Sequence, residues 1–211
     1  PELVRALGPV PGGGAWIVAS GRVRVLDAAL HLAWTSPAIA ADALDARGAG
    51  SPDGRRVILA DGDTIASVDA VARRELARRS LASCGGAALA VAPDGAQVAV
   101  LDRAAIRVLD TRTLAEVGSA AIATEDAAER AIAWASATEL VAIAGADVVR
   151  WRPGAAALEL TPIAHATAIA VDGGQVYVGR ADGTVLRRSL GALGPGARRR
   201  PATAAPTCTP D

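Results

Sequence analysis

The sequence predicts an all-β chain made of repeats of one four-stranded antiparallel unit, and three observations carry that prediction. Short apolar runs come in pairs across tight polar turns, as in "RRVILADGDTIASVD" from Arg55. Five such pairs begin at Ala15, Arg55, Ala96, Thr138 and Gly174, separated by 40, 41, 42 and 36 residues. Ahead of the pairs stand turn triplets, Pro52-Asp53-Gly54 and Pro93-Asp94-Gly95, in which Pro presets φ and Gly supplies a positive φ. Paired apolar runs around a short polar turn are a hairpin signal.

Each repeat has a first strand before the turn, such as "ALAVA", "AIAWA" and "AIAV", with "LVRAL" opening the chain. The hairpin supplies strands two and three, and a weaker run such as "AEVGSAAI" supplies the fourth. The third strand ends in Asp27, Asp69 and Asp110, replaced by Arg152 and Arg188 in the last two copies. Four strands at a period near 40 residues are a β-propeller blade. The near-continuous apolar runs fit strands covered on both faces. The chain therefore divides into a propeller over 1–194, with repeats at roughly 2–36, 37–83, 84–127, 128–164 and 165–194. A Pro/Arg-rich tail, 195–211, is expected to be a disordered linker. The fifth repeat is expected to lack its fourth strand. Two Ala-rich windows, "AVARRELARRSLAS" and "ATEDAAERAIAWAS", have helical composition, but the repeat register runs through both and assigns them to strands.

The quoted residues resemble the bacterial WD-repeat-like propellers of the YVTN type with Pro-Asp-Gly turns. "SPDGRRVIL", "APDGAQVAVLD" and "IRVLDTRT" stand where that family carries its turn and its hydrophobic-Asp strand end. The resemblance covers nearly the whole chain and implies fold far more than function. No copy has the Trp-Asp or Gly-His pairs of the fullest pattern; Trp151 is followed by Arg152.

Composition narrows the function. A hydrophobic fraction of 51% without Phe or Met, and with one Tyr and four Trp, requires a core of many small side chains. Every basic residue is arginine and asparagine is absent, a usage expected of a GC-rich, bacterial genome. With 22 basic and 22 acidic residues the net charge is zero, which argues against nucleic acid as a partner. No apolar window reaches membrane-span length, and a first residue of Pro1 suggests a segment of a longer protein. That leaves the compartment open between the cytoplasm, which is slightly favoured, and a secreted or periplasmic location. Cys84 and Cys208 are too few and too far apart for a disulfide scaffold or zinc site.

The chain has no His-Glu-x-x-His, paired-Cys, P-loop, Ser-x-x-Lys or Gly-x-Ser-x-Gly motif. His31 and His165 lack a carboxylate at ligand spacing and read as structural. Asp61 and Asp63 lack the remaining ligands of a calcium loop and read as a hairpin turn. Trp16, Trp34, Trp134 and Trp151 fall on strands, where packing between blades accounts for them. Arg73, Arg74, Arg78 and Arg79, like Arg198 to Arg200, read as solvated surface. No catalytic residue, metal ligand or cofactor is assigned.

The expected function is a non-catalytic module for protein–protein interaction or scaffolding; the alternative is an enzyme or small-ligand sensor working at the mouth of the central channel. The expected partner is a protein, with further blades supplied by the rest of the chain or by oligomerisation. The turns between second and third strands form one rim, so the expected partner-binding residues are Arg22, Asp61, Asp63, Asp102, Arg103, Asp147, Arg180 and Asp182.

Overall fold

A computed structural model describes residues 3–40, 46–61, 63–81, 88–102, 104–122, 130–193 and 198–203. It contains twenty strands and one short 3-10 turn, Leu190–Leu193, among these residues. Blade 1 is formed by β1 (Val4–Pro9), β2 (Ala15–Ala19), β3 (Arg22–Leu26) and β4 (Leu32–Thr35). Blade 2 has β5 (Arg47–Gly50), β6 (Arg56–Asp61), β7 (Thr64–Asp69) and β8 (Arg74–Ser80). Blade 3 has β9 (Ala88–Val91), β10 (Gln97–Leu101), β11 (Ala105–Asp110) and β12 (Glu116–Ala121). Blade 4 has β13 (Ile132–Ser136), β14 (Glu139–Ala144), β15 (Asp147–Trp151) and β16 (Ala157–Pro162). Among the described residues blade 5 has β17 (Ala166–Asp172), β18 (Gln175–Arg180) and β19 (Val185–Ser189). All five predicted hairpins are present, each strand pairing antiparallel with the next.

One strand was illegible. "RGAG" forms β5 because small residues are required where blade 2 meets blade 1. A Cβ on Gly48 would lie 2.6 Å from Val18, and one on Gly50 would lie 2.3 Å from the Trp16 indole. Gly8 meets the same indole from β1, at 2.5 Å. Trp16 is thus held between two glycine strands, and volume moves from the strand to the indole.

The tail departs from expectation. Arg198–Pro201 form β20, which pairs antiparallel with the outer edge of β16 and gives blade 4 a fifth strand. Low apolar content suggested disorder, but a strand can be held by backbone pairing and charge alone.

The innermost strands pack in sequence, β1 on β5, β5 on β9, β9 on β13 and β13 on β17. No comparable packing joins β17 back to β1 among the described residues. The five blades form an arc. Its apolar clusters lie between blades: Trp16, Val18, Val57 and Leu59 at the first junction, Ile58, Ile65, Val98 and Leu109 at the second. Leu101, Ile106, Trp134 and Leu140 fill the third, and Val141, Ile143, Val176 and Val178 the fourth. Each junction also carries a side chain donating to the backbone of the neighbouring repeat. Arg78 Nη1 donates to Ala38 and Ile39 carbonyls at 2.9 Å, and Arg79 Nη1 to Leu114 at 2.9 Å. Trp134 Nε1 donates to Ala90 at 2.9 Å, and Thr161 Oγ1 donates to Leu193. Arg78 and Arg79 are exposed, as expected of solvated surface, and also bond to the segment between β4 and β5 and to blade 3.

Candidate functional site

The recurring aspartates are first of all turn caps. Asp27 Oδ1 accepts from the Ala29 and His31 amides, Asp69 Oδ1 from Val71 and Ala72, and Asp110 Oδ1 from Arg112 and Thr113. Asp53 and Asp94 cap the Pro-Asp-Gly turns through the amides of Arg55 and Ala96. These bonds are the Asx geometry that makes Asp the favoured residue there.

Where two such turns from blades 2 and 3 meet, they leave a polar cleft of about 270 Å³, whose charged lining is Asp53, Asp94, Asp110, Arg56 and Arg112. Ser51 positions its floor: the Ser51 hydroxyl donates to Asp53 Oδ1 at 2.5 Å and accepts from the Arg56 amide at 2.8 Å. Thr111 fixes the other wall, its hydroxyl donating to the Gly95 carbonyl at 2.7 Å. Ser67 of β7 donates to the Thr111 carbonyl and ties the two blades together beneath.

The charge state of this lining follows from its bonds. The Asp53 carboxyl is held below its ordinary range by the Ser51 hydroxyl and the Arg55 amide. Burial pushes Asp110 upward, but the Thr113 amide and hydroxyl, the Arg112 amide and the charge of Arg56 outweigh it, and the net shift is downward. Asp53 and Asp110 are therefore ionised at neutral pH. Asp53, Asp94 and Asp110 each spend only Oδ1 on their own turn, and Oδ2 accepts no hydrogen bond from the described residues. Arg56 Nη1 is buried with no hydrogen-bond partner among them. No three His, Cys, Asp or Glu side chains converge on a cation position among the described residues. The cleft can accept hydrogen bonds from amides or cations and donate to a carboxylate or carbonyl, side by side.

A smaller cleft of about 160 Å³ opens at the same end of blade 4. Its charges satisfy one another: Glu139 Oε1 accepts from Arg150 Nε at 2.7 Å and Arg152 Nε at 3.1 Å, while Arg150 Nη1 reaches Glu159 at 3.3 Å. Arg152 replaces the strand-end Asp of earlier blades and takes Glu139 as its counter-ion.

The rim at the opposite end is differently made. Asp102, expected at the surface, is fully buried: Oδ1 accepts from the Ala104 and Ala105 amides at 2.7 and 2.8 Å, and Oδ2 lies 3.6 Å from Arg107. It cannot present a charge to a partner. Arg103 lies outside the described residues, as do Cys84 and Cys208. Arg22 donates to the Ser36 carbonyl at 3.2 Å, and Asp147 accepts from Arg198 of β20 at 2.9 Å. Arg180 pairs with Asp182 at 3.3 Å and donates to the Ala164 carbonyl at 3.1 Å. Asp61 is half-buried and Asp63 is exposed. His31 stands 4.0 Å from Asp27 with its side chain 81% exposed, and His165 is exposed in a turn. Trp16 and Trp34 pack in the first junction and Trp134 and Trp151 in the third.

Arg56, Arg112 and Ser51 escaped the sequence reading because their importance depends on two turns 40 residues apart meeting in space. The only local trace was the turn itself, "SPDGRR".

No protein-family model matches the chain, and no curated protein matches it. Among solved structures it is similar to that of U3-55K, a WD40 β-propeller protein, with a TM-score of 0.72 at 15% sequence identity. The match covers 95% of this chain and 63% of that one, so the chain spans less than two thirds of its neighbour's length. At that identity the likeness establishes a WD40-like propeller fold. No helix among the described residues is long and apolar enough to cross a membrane.

Proposed function

We propose that the chain is part of a bacterial propeller of the Pro-Asp-Gly-turn type and acts as a non-catalytic protein–protein interaction module. Its partner docks an extended segment on the cleft between blades 2 and 3. The observation that carries this reading is the unspent bonding in that cleft: three carboxylate oxygens, two of them on the exposed Asp53 and Asp94, and the buried Arg56 Nη1 have no hydrogen-bond partner among the described residues. A buried polar group left unsatisfied costs roughly 1–3 kcal/mol, and a peptide supplies amides and carbonyls that recover it. Mixed charge suits a polypeptide, which offers both signs and both kinds of hydrogen-bonding group. The opposite rim supports docking less well because Arg22, Asp102, Asp147, Arg180 and Asp182 spend their charges within the chain.

The test is capture of partner proteins from a lysate of the source organism. The side chains of Arg56 and Arg112 donate no hydrogen bond to the described residues, so the double variant Arg56→Gln, Arg112→Gln should lose the captured protein while its melting temperature falls only slightly, through the lost attraction of Arg56 for Asp53 and Asp110. Asp63→Ala on the far rim should retain it. Loss with Asp63→Ala and retention with the double variant would move the interface to the far rim.

A further inference from the structure

The outer edge of blade 4 differs from the other blade edges in carrying an added strand, and the contacts that hold that strand are specific. In β20, Arg198 faces Leu160, Arg199 faces Glu159, Arg200 faces Leu158 and Pro201 faces Ala157 across the ladder. Arg198 Nη2 donates to both oxygens of Asp147, at 2.9 and 3.0 Å, and Arg199 Nη2 lies 3.8 Å from Glu159. The pairing continues beyond the strand: the Ala202 amide donates to the Ala156 carbonyl, and the Thr203 carbonyl accepts from Ala121 of blade 3, each at 2.8 Å.

Nothing in β20 is buried, with all four of its residues exposed. Its hold rests on backbone pairing, on ion pairs whose arginines are 67% and 79% exposed, and on half-buried Ala202, which packs against the apolar cluster between blades 3 and 4. Exposed pairs contribute little and are screened by salt. Strand addition at a sheet edge takes its affinity from main-chain bonds and its selectivity from alternate side chains. A strand held in this way can exchange with another of the same chemistry.

We propose that the β16 edge, with Asp147 and Glu159, is a strand-docking site for an extended arginine-rich segment of a partner protein. The chain's own Arg198–Pro201 segment is the competitor in cis. Asp147 reads the first arginine and Glu159 the second. A segment following the path of 198–203 spans from blade 4 to blade 3. This site is separate from the cleft between blades 2 and 3 and does not depend on it.

The test uses a fluorescent synthetic peptide of residues 197–203 and the full chain. With the tail disabled by Arg198→Glu and Arg199→Glu, the peptide should bind in trans, and binding to the wild-type chain should be several-fold weaker because the tail occupies the edge. Adding Asp147→Asn and Glu159→Gln to the tail variant should weaken binding roughly tenfold, and raising the salt should do the same. Hydrogen exchange gives a second readout. The β16 amides should lose protection in the tail variant and regain it when peptide is added. Failure of the peptide to bind the tail variant, or equal binding with and without Asp147→Asn and Glu159→Gln, would overturn the proposal.

Discussion

In blades 2, 3 and 4 the second and third strands are buried on runs of consecutive residues, whereas β3 of blade 1 and β18 of blade 5 are buried on alternate ones and β19 has no buried residue. β14 is buried at every position from Glu139 to Ala144, while β18 buries Val176 and Val178 and leaves Gln175, Tyr177 and Gly179 half-covered. The two kinds of blade are built from the same small apolar residues. Their difference is position: among the described residues a middle blade packs against a neighbour on each face, and blades 1 and 5 on one. Leu7 is 70% exposed, Leu32 60% and Val185 65%, against 43% for Val71 and 51% for Val117 in the middle blades, so the ends of the arc keep more apolar surface than the middle. A double-faced core is therefore a property of the stack and not of the single repeat.

The largest expected effect that sharpens this contrast is a cavity. Leu109 is fully buried in the junction of blades 2 and 3, so Leu109→Ala should cost about 2–5 kcal/mol by chemical denaturation. Ile17 on the outer face of blade 1 is only half-buried, and Ile17→Ala should cost less than about 1 kcal/mol. Equal losses would mean that the ends are covered in solution.

A crowding change follows. Gly50→Val forces a side chain into the Trp16 indole and should destabilise by about 1–3 kcal/mol or more, with altered Trp fluorescence. Gly179→Ala on the open face of blade 5 meets only the Ala168 methyl, at 3.3 Å, and should change the melting temperature little.

The third effect is acid sensitivity of the middle blades. Burial raises the Asp69 carboxyl, but the Ala72 amide, the Arg55 charge and the Val71 amide outweigh it, and its net shift is downward. A carboxyl depressed in the folded state stabilises the fold above its unfolded value, near 4, and that contribution disappears as the pH falls through the lower folded value. Stability should hold from neutral pH to about 5 and decline below about 4. Asp69→Asn should be less stable at pH 7 by about 1 kcal/mol and should decline less steeply in acid, as measured by urea titration across pH.

The smallest effect concerns a repeated left-handed residue. The turn after the third strand closes with Leu30, Arg73 and Leu114 at φ of 63°, 54° and 57°, and in blade 4 with Gly154 at 85°. Arg73→Gly removes the left-handed penalty but loosens the unfolded chain, so it should shift stability by no more than about 1 kcal/mol in a thermal melt.

The repeat was legible because its signals are local. A Pro-Asp-Gly turn, an apolar pair and a strand-ending Asp need nothing beyond their own residues to form, and Asp53, Asp94, Asp69 and Asp110 all cap the turns in which they occur. What misled were residues whose role depends on a distant neighbour. Asp102 looks like rim charge and is buried because Arg107 faces it across the hairpin. Arg78 and Arg79 are solvated as they look, and they also hold backbone carbonyls of the segment between β4 and β5 and of blade 3, which their own surroundings in sequence do not show.

From its order of residues alone this protein is a succession of antiparallel sheets with capped turns, since hydrophobic periodicity and turn chemistry act over a few residues. Only the tertiary structure decided three further things. Gly48 and Gly50 form a strand because Val18 and Trp16 fill their space. Asp53, Asp94 and Asp110 surround one cleft because two junction turns converge. Arg198–Pro201 become a fifth strand because Asp147 and the β16 edge stand ready to receive them. In each case the deciding contact joins residues far apart in the chain, and its free energy exists only after the blades have stacked.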